Sequence, residues 1–156
     1  MTEQDRALFE HILDSLRQNG PYDTMKQFIA HSDITVYEHC IKVAVKCLEI
    51  KEKYRIACDT EVLIRCALLH DYYLYDWHVY EKGRKLHGTH HQLIAAENAV
   101  RDYKISEKEA RIIRSHMFPL PPQYVPFCKE AWILTVADKI VATDETLKKY
   151  RKKQRP

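Results

Sequence analysis

The sequence predicts an all-α fold, a single helical bundle. Three observations carry that expectation. Apolar residues recur at three- and four-residue spacing, as in Phe9, Ile12, Leu13 and Leu16, or Leu63, Cys66 and Ala67, which is the period of a helix with one buried stripe. No regular alternation of apolar and polar residues is present, and there are only three glycines, so a sheet-rich fold is disfavoured. Capping-box pairs, Thr35 with Glu38 and Ser106 with Glu109, stand where helices would begin.

Taken in order, Phe9 to Leu16 mark a first amphipathic helix that stops at Asn19-Gly20-Pro21. A short helix from about Asp23 to Ala30 carries Met25, Phe28 and Ile29, and a polar break follows at His31-Ser32-Asp33. Thr35 caps a helix running to about Tyr54, and Asp59 or Thr60 caps the next. A further helix passes through Leu93-Ile94-Ala95-Ala96, another ends near His116, and the last runs from about Lys129 to Tyr150. A length of 156 residues suits one domain: a helical extension over 1–31, a core over about 36–142 and a basic tail over 148–156.

Composition narrows the function. Hydrophobic content of 46% with 30% charged residues suits a soluble protein, and neither an 18-residue apolar run nor a signal-peptide pattern is present, so a cytoplasmic location without membrane attachment is expected. The five cysteines are odd in number and lack C-x-x-C spacing, which indicates neither a disulfide framework nor a zinc knuckle. A net charge of +3 comes largely from the terminal basic run, a solvated tail rather than a specific nucleic-acid surface.

Polar residues on apolar helical stripes point to chemistry. His70 continues the stripe of Leu63, Cys66 and Ala67, and Asp71 follows it directly. His39 falls between Val36 and Val43, His116 follows Ile112 and Ile113, and Asp138 lies between Leu134 and Val141. Each alone reads as an ordinary core residue; buried without a partner, each would cost roughly 1–3 kcal/mol. One divalent ion would satisfy the whole set. Mixed imidazole and carboxylate donors suit Fe, Mn, Co, Ni or Zn.

With His39, the His70-Asp71 tandem and Asp138 in that order, the sequence resembles the HD superfamily of metal-dependent phosphohydrolases over about Tyr37 to Val141. His87, in Leu86-His87-Gly88, and His116 are similar to two further histidines of the binuclear branch, typified by symmetrical diadenosine tetraphosphatases. The resemblance implies that His39, His70, Asp71 and Asp138 hold one ion, that His87 and His116 hold a second, and that Asp71 bridges them.

Two connections are expected to complete a site. Tyr72, Tyr73, Tyr75, Trp77 and Tyr80 lead into Lys82, Arg84 and Lys85, a succession suited to stacking a base and gripping phosphate; packing aromatics are the bland alternative. The prolines of Met117 to Pro126 favour a stiff wall beside His116. Lys139 is a candidate for charge neutralisation and His91 for protonating a leaving oxygen. The expected partner is a small phosphorylated substrate, a nucleotide first. The rival readings are a di-iron oxygenase of the HD type and a non-catalytic nucleotide-binding module. Oligomeric state is left open.

Overall fold

The computed structural model describes residues 1–31, 33–76 and 87–153, without the side chains of residues 31, 87–89, 149 and 151–153. Six α-helices dominate these residues: α1 (Glu3–Asn19), α2 (Val36–Lys53), α3 (Thr60–Leu69), α4 (His87–Tyr103), α5 (Glu107–Ser115) and α6 (Lys129–Lys153). The all-α expectation holds. None of the described helices is long and apolar enough to cross a membrane.

Local chemistry sets the helix starts. Thr35 accepts from the Glu38 amide while Glu38 returns a bond to the Thr35 amide, and Ser106 and Glu109 repeat the arrangement at α5, so each box satisfies donors that a helix start leaves open. Asp59 caps α3 by accepting from the Val62 amide. Arg55 and Lys104, just past α2 and α4, adopt left-handed backbone with φ of 52°. Non-glycine residues take that strain because the chain spends so few glycines at its turns.

The segment after α1 departs from expectation. The short helix expected from about Asp23 to Ala30 is a 3-10 helix limited to Tyr22–Gln27, and a small antiparallel hairpin follows, β1 (Ile29–His31) with β2 (Ile34–Thr35). The Val36 amide donates to the Phe28 carbonyl, closing the hairpin and delivering the chain into α2. β-branched Ile29 and Ile34 favour that extended pairing over a helix turn. At the other end, α6 continues to Lys153 rather than stopping near Tyr150.

Helix α2 packs against α3 on one side and α6 on the other, while α4 pairs with α5. Val43, Cys47 and Leu48 of α2 meet Leu63, Ile64 and Leu68 of α3, Ile112 and Ile113 of α5 and Leu134 of α6 in one buried cluster. Burying each large aliphatic side chain stabilises the fold by about 1.5–3 kcal/mol. Tyr22, fully buried, donates from its hydroxyl to the Leu68 carbonyl at 2.9 Å. That bond fixes the last turn of α3, immediately before the His70-Asp71 tandem.

Candidate metal centre

Two helices end at the centre. His70 is the C-terminal cap of α3 and His116 the cap of α5; a helix C-terminus carries partial negative charge and favours a cation nearby. Each ring is fixed in the same way. His70 Nδ1 donates to the Ala67 carbonyl at 2.8 Å, and His116 Nδ1 donates to the Ile113 carbonyl at 2.8 Å. A carbonyl only accepts, so Nδ1 bears a proton in each ring and Nε2 is the nitrogen that faces inward, the one a metal would take in place of a proton.

The other groups arrive from α2, α4 and α6. His39 Nε2 lies 3.1 Å from Asp138 Oδ1 and 3.8 Å from Asp71 Oδ2. His70 Nε2 is 3.7 Å from both Asp71 Oδ2 and Asp138 Oδ1. On the opposite side, Asp71 Oδ1 is 3.3 Å from His91 Nε2 and 3.6 Å from His116 Nε2, and those two nitrogens are 3.2 Å apart. The residues fall into three overlapping groups able to hold an ion: His39, His70 and Asp71; His70, His116 and Asp138; Asp71, His91 and His116.

The donor set fits a divalent ion. His70 Nε2 and Asp71 Oδ1 are buried and have no hydrogen-bond partner among the described residues, which leaves two desolvated polar atoms facing their neighbours. Donors about 2.0–2.2 Å from one ion stand roughly 3.0–3.6 Å from each other, close to the separations found here. The electrostatics agree. Burial opposes charge on His39 and His70, yet contacts with Asp138 and Glu145 hold His39 up to about 10, and Asp71 holds His70 well above its usual value. Burial would raise the Asp71 and Asp138 carboxyls, but the surrounding histidines keep both well below the usual range. Burial and the neighbouring His70 push His116 down to about 3. Two ionised carboxylates thus face neutral and protonated imidazoles in a pocket that calls for positive charge. A metal ion and protons compete for that role.

The HD domain family matches residues 36–143, more than half of the chain. The chain belongs to the HD domain family. No curated protein and no solved structure matches it.

Within this HD domain, His39, His70, Asp71, His116 and Asp138 converge. His91, expected as a proton donor, sits among the ligand-type groups, its ring edge-on to the buried Tyr73 at 5.9 Å. The backbone of His87 opens α4, while its side chain lies outside the described residues. Trp77, Lys82, Arg84 and Lys85 also lie outside the described residues. Lys139 Nζ donates to the His116 carbonyl at 3.2 Å, beside the centre but aimed at the end of α5. Tyr72 is fully buried against Tyr103 and donates to Asp102 at 2.9 Å, so it packs rather than lining an open base-binding face.

Glu145 was not anticipated. Only 3% exposed, it accepts from His39 Nδ1 at 3.0 Å and from Lys42 Nζ at 3.0 Å. Its signal was available: Glu145 lies seven residues after Asp138, on the same face of α6.

Proposed function

We propose that this HD domain is a metal-dependent phosphohydrolase that cleaves a phosphate ester or anhydride of a nucleotide or similar small molecule. The observation that supports it best is the convergence of inward-facing imidazole Nε2 atoms and two carboxylates around His70 Nε2 and Asp71 Oδ1, buried atoms without a hydrogen bond among the described residues. One or two transition-metal ions (Fe, Mn, Co, Ni or Zn) suit that set. Such an ion, when bound, lowers the pKa of its water towards 7 and so supplies hydroxide near neutral pH.

The chain's own residues divide the remaining tasks. Asp71 faces His39 and His70 with Oδ2, and His91 and His116 with Oδ1, which suits a carboxylate shared by two ions. His91 fits better as a ligand beside His116 than as the proton donor, because its Nε2 points at the same oxygen as His116 Nε2. Lys139, next to Asp138 in sequence and bonded through its ammonium to the His116 carbonyl, is the group proposed to offset phosphoryl charge. Base stacking by Trp77 and phosphate contacts from Lys82, Arg84 and Lys85 are proposed from sequence pattern alone. Dinucleoside polyphosphates head the substrate classes, on the resemblance carried by His87-Gly88 and His116.

The test is a panel of nucleotides, dinucleoside polyphosphates, cyclic dinucleotides and sugar phosphates, each with Fe, Mn, Co, Ni, Zn or Mg under anaerobic conditions. Metal-dependent phosphate release without oxygen is the expected result. Product formed only with oxygen would instead support an oxygenase, and tight nucleotide binding without turnover under any metal would support a binding module.

A further inference from the structure

His39 poses a problem that His70 and His116 do not. Those two cap their helices and reach carbonyls three residues back, whereas His39 is the fourth residue of α2. In the first turn of α2, His39 Nδ1 turns to a carboxylate of another helix rather than to a carbonyl of its own. Glu145 provides it. Its Oε2 lies 3.0 Å from His39 Nδ1, while Asp138, two turns earlier on α6, lies 3.1 Å from Nε2 on the opposite side of the ring. The ring is fully buried between the two carboxylates. The second Glu145 oxygen accepts from Lys42 Nζ, one turn along α2, whose side chain is 47% exposed.

We propose that Glu145 is the positioning residue of His39: it takes the Nδ1 hydrogen bond, fixes the tautomer whose Nε2 faces the centre, and strengthens that nitrogen as a donor, while Lys42 holds the carboxylate in place. The inference rests on the reading of the cluster as a metal centre. A simple helix-to-helix ion pair would need only the Lys42 contact; the second oxygen directed at a buried imidazole sets Glu145 apart. Glu145 also borders a surface groove of about 670 Å³ between α2 and α6, lined in part by Ile41, Lys46 and Asp144. Truncating it therefore opens onto solvent and leaves no sealed void.

The experiment uses chelator-stripped full-length protein titrated with Co²⁺, read by visible absorption and by competition with a chromophoric chelator, for wild type, Glu145→Ala, Glu145→Gln and Lys42→Ala. Glu145→Ala should weaken Co²⁺ binding by about 10–100-fold and alter the ligand-field spectrum. Glu145→Gln, whose amide oxygen still accepts from Nδ1, should keep a near-native spectrum with a smaller loss, and Lys42→Ala should fall between wild type and Glu145→Ala. Melting of stripped and loaded protein provides a further readout: a positioning role shrinks the Co²⁺-induced rise in Tm, whereas a merely structural role lowers both melts alike. Wild type that binds Co²⁺ while Glu145→Ala and Glu145→Gln bind it equally well, with unchanged spectra, overturns the inference and leaves the metal reading intact. Wild type that takes up no Co²⁺ overturns both.

Discussion

His70 and Asp71 are where the chain's preferences meet most sharply: neighbouring residues, both buried, with one nitrogen and one oxygen that find no hydrogen bond among the described residues. His70→Ala and Asp71→Ala should therefore lose bound metal together with stability, by at least about 1–3 kcal/mol for the ligands left unpaired. His91→Ala and His116→Ala, on the other side of Asp71, should lose roughly one equivalent and retain the fold. Elemental analysis of protein purified without chelator, paired with thermal melts, checks both statements. Native protein that is metal-free and cannot be reconstituted, with His70→Ala melting like wild type, would sink them. At this scale the sequence was legible wherever a polar residue interrupted an apolar stripe, as at His39, His70, His116 and Asp138. It was less legible at His91, which lies between His90 and Gln92, although Gln92, Ala95, Ala96 and Ala99 share its buried face. Glu145 escaped because a charged residue amid Thr143, Asp144 and Thr146 reads as solvent-facing.

Among the elements, capping chemistry made the starts of α2, α3 and α5 legible, since each begins with a side chain that satisfies backbone donors. The hairpin of β1 and β2 was not, because strands this short carry too few residues to show alternation and their register depends on the Phe28 to Val36 bond. Helix ends are a different matter. α2 closes through Arg55, whose left-handed backbone lets Ile56 donate to the Lys51 carbonyl. Glycine adopts that conformation without a Cβ clash, so Arg55→Gly should stabilise the protein by about 0.5–1 kcal/mol after the greater flexibility of the unfolded chain is counted. Chemical denaturation measures this directly. An unchanged or lowered midpoint would mean that the arginine side chain contributes more than its backbone strain costs.

For the whole molecule, the all-α class was legible because helical periodicity extends through almost every apolar segment, and one family match spans most of it. What periodicity cannot convey is convergence: it assigns a face to each residue on its own helix and says nothing of how faces meet. The bundle answers that, with α2, α3, α4, α5 and α6 all delivering a side chain to one point. That arrangement has a kinetic consequence. None of these five helices can swing away without surrendering a donor, so an ion at the centre would penalise each opening that moves one of them and merge fluctuations that would otherwise be independent. Amide hydrogen exchange in α3 and α5 should slow on loading with metal, along with exchange in the inner turns of α2 and α6, whereas α1, which contributes no donor, should exchange at nearly the same rate with metal or without.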